Sequence, residues 1–386
     1  MKKVCVITST RAEYGLLKPL LAQIAQEESL ELQIVATGAH LSPEFGLTYK
    51  QIEEDGFDIA EKIEILLSSD TAIGVSKTMA LALSGLAECF ARLRPDILVV
   101  LGDRYEIFAA VAAAAVANVP VAHISGGETT QGAFDEAFRH SITKMSYLHF
   151  TSTEEYRRRV IQLGEQPDRV FCVGALGVEN IKKMPLLSKE ELEREIGFSL
   201  KERYALVTFH PVTLEKQTAA GQFENLLWAL DQMKDLKVIF TKANADTDGR
   251  VINAMIDAYA KKNKDRVAAY TSLGQLKYLS AMKYADVVVG NSSSGIVEAP
   301  AMGVPTLNIG DRQKGRIMGE SIVSCPPEAQ AILDALKACL APEFKGKTRQ
   351  LPNPYGNGDT SRQITEIIKD CLYNKTIDLK KQFYDL

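Results

Sequence analysis

Five carboxylates, Asp103, Glu106, Glu128, Asp135 and Glu136, share one stretch of chain with Arg104, Arg139 and His140. Carboxylates in unlike surroundings take different pKa values, so one can hold a proton while its neighbour accepts one. Guanidinium groups beside them favour an anionic group on the ligand. This set of side chains suits proton transfer close to an anion.

The surrounding elements explain how these groups would meet. Ile97–Leu101 is an unbroken apolar run rich in β-branched residues, of the kind a fully buried parallel strand uses. It stops at Gly102-Asp103-Arg104, and Ile107–Ala117 follows as an Ala-rich helix. A second apolar run, Val119–Ile124, breaks into Ser125-Gly126-Gly127-Glu128. This β-α-β unit carries acidic residues past the carboxyl end of each strand, where open α/β sheets bind ligands.

The same alternation continues along the chain. Lys3–Thr8 reads as the first strand, and Ser9 to Gly15 as the loop into a helix from Leu16 to Gln26. Arg11 stands in that loop, where free N–H groups at a helix start suit an anion. Thr71–Leu93 reads as a long amphipathic helix, Ile59 to Ser69 fits no single pattern, and Thr306–Ile309 reads as the last strand. Composition shifts at Glu179–Ser199, where Ser188 and Glu191 form a capping box at the start of a Lys/Glu-rich helix. The expectation is an α/β chain of two Rossmann-like, doubly wound domains with a cleft between them. Residues 1–178 would carry the carboxylates and residues 179–386 would form the second domain, with the last helix a candidate to pack back on the first.

In the second half, Gly290-Asn291-Ser292-Ser293-Ser294-Gly295 follows a buried strand and opens a helix. Small residues let phosphate oxygens reach backbone N–H groups, and hydroxyls add donors. A helix cap alone explains one serine, not three between two glycines. Glu298 suits ribose hydroxyls, or equally a partnership with the helix dipole. His210, ending the strand Tyr204–Phe209 before a proline, is placed to meet a phosphate or a leaving oxygen. Arg312, Lys314 and Arg316 form a basic loop after a strand. Asn244 to Gly249 begins like a calcium loop, but Met255 stands where the closing glutamate belongs, so a turn and helix cap fit better.

Composition excludes several classes. The 386 residues are 24% charged and 46% hydrophobic with a net charge of −4, and no basic stripe interleaved with aromatics suggests nucleic acid. No GxxxxGK[ST] occurs, which argues against ATP-driven chemistry. The six cysteines are scattered without a CxxC, as in a reducing compartment, and the cysteines and histidines show no metal-ligand spacing. The first apolar run, Val4–Ile7, is too short for a signal-peptide core, and no run approaches the ~20 apolar residues of a membrane span. A cytoplasmic protein without metal or redox cofactor is expected.

Several stretches then stand in a recognisable order: TSTRAEYGLL, LGDRYEIFAAV, HISGGETTQGAFDEAFRHSITKMSYLHF, FHPVTL, NADTDGR, VVVGNSSSGIVEAP and NIGDRQKGR. Across nearly the whole chain they resemble the hydrolysing UDP-N-acetylglucosamine 2-epimerases of bacterial sialic-acid synthesis. The resemblance implies a glycosyltransferase-B-like fold with UDP in the interdomain cleft, assembled as a homodimer or homotetramer. It implies conversion of UDP-N-acetylglucosamine and water to N-acetylmannosamine and UDP. It also implies that Asp103, Glu128 and Asp135, with Glu136 a neighbour, surround the sugar. Arg11, His210, Ser292, Ser293 and Arg312 would hold the phosphates, Asn244 and Glu298 the nucleoside, and Arg104 and Ser294 would also bind the UDP-sugar. In many relatives a glutamate stands two residues after the histidine of the HI-x-GGE stretch, whereas here Ser125 does. Either Glu128 takes over its role, or Asp103 and Asp135 share it.

The sequence leaves rivals open. The same chemistry on UDP-N,N′-diacetylbacillosamine, on the route to legionaminic acid, would differ in pocket size rather than in catalytic residues. A non-hydrolysing epimerase would return UDP to the sugar, and a glycosyltransferase would leave the C2 proton unexchanged. A non-catalytic UDP-sugar sensor would bind without turnover.

Overall fold

All strand pairs among the described residues are parallel, and they form two sheets. The computed structural model describes residues 1–67, 71–129, 135–211, 219–243, 249–356 and 358–386. Asn244 therefore lies outside the described residues, as do the NADTDGR turn up to Asp248 and the end of FHPVTL.

The first sheet holds β1 (Lys2–Thr8), β2 (Leu30–Thr37), β3 (Ile59–Ile63), β4 (Ile97–Leu101), β5 (Val121–Ile124), β6 (Leu148–Thr151) and β7 (Val170–Cys172). Their order is β3-β2-β1-β4-β5-β6-β7. The second holds β8 (Tyr204–Thr208), β9 (Lys237–Thr241), β10 (Val267–Tyr270), β11 (Val287–Gly290), β12 (Thr306–Ile309) and β13 (Ile322–Cys325), in the order β10-β9-β8-β11-β12-β13. Thr306–Ile309 is thus not the last strand. In each sheet the chain starts in the middle, winds one way and then the other, so the strand order reverses at β1/β4 and at β8/β11. A crevice opens at such a switch point beyond the carboxyl ends of the strands.

The chain divides into two compact units. The first takes Met1–Glu128, residues 135–180 and Tyr355–Leu386; the second is built on Ile181–Pro354. The stretch from Tyr355 onward, assigned from the sequence to 179–386, therefore belongs with the first sheet. Its helix, Thr360–Asn374, packs on the helix Arg11–Gln26. Buried Glu179 accepts from the Ser361 N–H at 2.6 Å and Thr360 Oγ1 donates to the Val173 carbonyl at 2.9 Å. Ahead of that helix, Gly356 passes Gly174 so closely that a Cβ on it would lie 2.9 Å from the Gly174 Cα.

Two helices depart from the sequence pattern. The first begins at Arg11 rather than Leu16, because Thr10 and Glu13 form a capping box. It continues through Pro19, which cannot donate to the Gly15 carbonyl; the Asn180 side chain donates to it instead, at 2.8 Å. The helix Ala72–Leu93 is, by length and composition, apolar enough to cross a membrane, contrary to expectation. Its face of Thr78, Ala82, Leu86, Cys89 and Phe90 is buried, with Ala82, Leu86, Cys89 and Phe90 in the core of the first unit, as a core helix requires.

Candidate functional site

The first crevice collects charge. Ser9 and Thr10 follow β1, and Asp103 and Arg104 follow β4. Asp103 is ion-paired with Arg139 from the helix Asp135–Met145, and the same guanidinium bonds Glu136 at 3.2 Å. Glu136 in turn holds the His140 ring at 3.1 Å. Asp135, at the start of that helix, is pushed up to about 6, first by burial and then by the negative charge of Asp103. These two carboxylates are near neighbours with unlike partners: Asp103 faces a guanidinium, whereas Asp135 resists ionisation.

Behind them lies a second acidic pair. Arg104 makes a bidentate bond to Glu106, at 3.1 and 3.0 Å, and Glu106 is only 1% exposed. Glu13 Oε2 accepts from the Ser9 N–H and hydroxyl, both at 2.7 Å, and from the Thr10 N–H at 3.1 Å. Its other oxygen is buried without a hydrogen-bond partner. Burial, moderated by Arg104, raises Glu13 to about 7. Arg11, in the first turn of the same helix, is exposed.

Glu128 ends the turn after β5, where Ser152 Oγ donates to it at 2.9 Å. Ser125, at the start of that turn, holds φ +68, a left-handed conformation uncommon outside glycine. Beneath the turn lies His123, fully buried on β5. Its Nε2 is 2.8 Å from the Gly102 carbonyl and its Nδ1 is 3.2 Å from Thr143 Oγ1.

The second crevice is built around Asn291 from neutral groups and one guanidinium, Arg312. Gly290 ends β11 with φ +132, and a Cβ there would lie 1.9 Å from the Thr208 carbonyl, so only glycine fits. Asn291 follows and ties the two strand ends together. Its Oδ1 accepts the His210 N–H at 2.7 Å and its Nδ2 donates to the His210 carbonyl at 2.8 Å. Its own carbonyl accepts from Gln313 at 2.8 Å and Arg312 at 3.1 Å. His210 is buried, and burial with the nearby Arg312 charge drives its pKa down to about 3, so it is a neutral imidazole. Ser292 caps the helix Ser293–Ala301, accepting from the Ser294 N–H at 3.4 Å. Ser293 is exposed, and Ser294 and Glu298 are half-buried. The Tyr278 hydroxyl, pushed up by burial, is met by the side chains of Ser294 and Thr208.

The structure thus groups Asp103, Arg104 and Asp135 at one switch point, with Glu128 at the end of the adjoining strand. It groups His210, Ser292, Ser294 and Arg312 around the other. Sequence reasoning passed over His123, Thr143, Asn291, Gln313 and Tyr278. Asn291 lies inside the Gly290–Gly295 motif, and His123, Thr143 and Gln313 lie inside stretches that carry the resemblance; Tyr278 lies in a helix with nothing local to single it out. Among the described residues no group of three His, Cys, Asp or Glu side chains is arranged to hold a metal ion.

The profile of a family described as UDP-N-acetylglucosamine 2-epimerase matches residues 22–369. The chain is 44% identical to a Campylobacter jejuni protein named GDP/UDP-N,N′-diacetylbacillosamine 2-epimerase (hydrolyzing), covering 100% of this chain and 99% of that one. It is 40% identical to an Escherichia coli polysialic acid biosynthesis protein, P7, over 100% of this chain and 98% of that one. Among solved structures, the Neisseria meningitidis UDP-GlcNAc 2-epimerase bound to UDP-GlcNAc aligns with a TM-score of 0.80 at 19% identity, over 96% of this chain and 100% of that one.

Proposed function

This chain belongs to the UDP-N-acetylglucosamine 2-epimerase family, and we propose that it is a hydrolysing member which inverts C2 of a UDP-linked 2-acetamido sugar and releases UDP. The observation that carries this is the pair Asp103 and Asp135: the first is ion-paired with Arg139, and the second is pushed up by burial and by the charge of the first.

The chemistry explains the need for such a pair. The C2 proton is not α to a carbonyl, so a carboxylate alone scarcely removes it. As the C1–O bond to UDP breaks, positive character at C1 acidifies C2–H. A carboxylate takes that proton, the C–H electrons form the C1–C2 double bond of a glycal, and UDP departs. Water then adds its hydroxyl at C1, and a proton reaches C2 from the opposite face. One group must give a proton and another must take one, which a carboxyl that resists ionisation beside an ion-paired carboxylate can do. In this scheme Asp103, Asp135 and Glu128 surround the sugar. Arg11, His210, Ser292, Ser293 and Arg312 hold the departing pyrophosphate, Asn244 and Glu298 the nucleoside, and Arg104 and Ser294 also bind the UDP-sugar. Neutral His210 supports a hydrogen-bonding rather than an ion-pairing role.

With UDP-N-acetylglucosamine the products are N-acetylmannosamine and UDP, supplying nonulosonic acid synthesis. A second substrate, UDP-N,N′-diacetylbacillosamine, is favoured by the name of the 44% identical relative. Proton NMR in D2O with each sugar nucleotide tests both. Free UDP with a C2-deuterated manno-configured sugar from one of them identifies reaction and substrate. UDP still attached to an epimerised sugar, or no C2 exchange with either, overturns the proposal. Residence in the cytoplasm and assembly as a homodimer or homotetramer belong to the same reading. Exposed Ile73, Leu81 and Leu83 on the helix Ala72–Leu93 support self-association, which sedimentation measures.

A further inference from the structure

In the reaction proposed above, on which this inference rests, carboxylates from three separate segments must face one sugar. We infer that His123 is the positioning residue of the site, a neutral strut joined to the segments that present Asp103, Glu128 and Asp135.

Three contacts carry the inference. On one side Nε2 meets the carbonyl of Gly102, the residue before Asp103, at 2.8 Å. On the other, Nδ1 meets the hydroxyl of Thr143 at 3.2 Å; Thr143 lies on the buried face of the helix that begins with Asp135 and carries Arg139. Above, a Cβ on Gly126 would lie 3.1 Å from both His123 Nδ1 and Thr143 Oγ1, so the turn leading to Glu128 rests on the His123–Thr143 pair. Each segment bearing a carboxylate therefore touches this pair.

The chemistry of the ring fixes its state. A backbone carbonyl only accepts, so Nε2 carries the hydrogen and Nδ1 accepts from the Thr143 hydroxyl. Burial drives the His123 pKa down to about 3, which keeps the ring neutral and the tautomer single at any working pH. The neighbouring strand offers a contrast. His149, the register partner of His123 on β6, bonds Glu165 through Nε2 at 2.9 Å and leaves its buried Nδ1 without a partner. A histidine in this sheet is thus accommodated with one bond, whereas His123 makes two, each to a different segment of the site. The ion pair between Arg139 and Asp103 spans the same two segments from the opposite end, so spacing is fixed twice: by charge at the carboxylate and by a neutral ring at the backbone.

The test compares His123→Asn, His123→Gln and Thr143→Val in the full chain. An asparagine amide lies near the Nδ1 position and loses the Gly102 bond, whereas a glutamine amide reaches the Nε2 position and keeps it. Misplacement of reacting groups by about an ångström costs roughly 10²-fold. His123→Asn is expected to lose about that much in kcat, with KM and UDP affinity within about twofold, while His123→Gln recovers about tenfold of the loss. Thr143→Val, which leaves Nδ1 without its donor, is expected to lose about tenfold in kcat and to lower the thermal midpoint by a few degrees. Unchanged kcat in folded variants, equal losses in His123→Asn and His123→Gln, or a loss confined to KM would overturn the strut. If the wild type released no UDP, the proposed reaction would fail by itself. The strut would then be decided by carbon NMR of the carboxyl groups, because His123→Asn must shift the Asp135 titration away from about 6, and an unmoved titration refutes it.

Discussion

The two switch points share a strand order and differ in material. At β1/β4 the crevice is dense with titratable groups, Glu13, Asp103, Arg104, Glu106 and Asp135, and its hub is an imidazole. At β8/β11 the hub is an amide, Asn291, ringed by serines, a glutamine and a histidine too buried to ionise, with Arg312 the charge bonded to it. Topology supplies the place and side chains supply the chemistry. The first crevice is equipped to move protons; the second offers fixed donors whose strength does not change with pH. That contrast can be broken or sharpened by experiment.

The largest effect is expected from Asp103→Asn and Asp135→Asn. Each should lower kcat by about 10³-fold while UDP affinity, measured by calorimetry, stays within about twofold. If turnover and UDP binding fell together, Asp103 and Asp135 would be holding the nucleotide rather than moving protons, and the contrast would collapse. In the second crevice, His210→Ala should weaken UDP binding about tenfold and leave the pH–rate profile in place. A displaced acid limb would show that His210 exchanges protons after all.

A smaller effect concerns Glu13. Its folded pKa of about 7 lies above the ordinary carboxylate value, so the folded chain binds this proton more tightly than the unfolded chain does. The stabilisation is fully present below the unfolded pKa and is lost as pH rises through 7. Glu13→Gln should therefore match or fall below the wild-type thermal midpoint at pH 5 and exceed it at pH 8. The same midpoint difference at both pH values would mean that the carboxyl is already ionised. Smallest is Ser125→Gly, which relieves a left-handed serine worth about 1 kcal/mol and should raise the midpoint by a few degrees. An accompanying loss of activity would bring the Ser125 hydroxyl into the site.

Much of this was legible in the sequence because strand ends and ligand sites coincide in parallel sheets. The run Ile97–Leu101 is apolar throughout and marks its strand without ambiguity. β3 and β13 are edge strands with one exposed side, so their residues mix polar and apolar and the signal fades. Thr10 and Glu13 carry the same capping spacing that identified Ser188 and Glu191, but Gly15 and Pro19 mask it. What no local pattern encodes is the carbonyl of Gly15 being satisfied from Asn180, or His123 being bonded from Thr143: these are contacts across the fold. The candidate carboxylates were legible one at a time, whereas their unequal environments arise only from packing.

The close passage of Gly356 over Gly174 has a consequence for how the protein is made. The first unit is sewn from both ends of the chain, so its opening 180 residues leave the ribosome without the helix Thr360–Asn374 that covers Arg11–Gln26. The second unit is built on one continuous stretch and has its six strands before that helix is translated. Domains fold as they emerge, so the later-synthesised unit is ready first, and the earlier one waits for the C-terminus. A premature stop between Pro354 and Thr360 would then spare the second unit and leave the proton-handling crevice on a sheet without its covering helix.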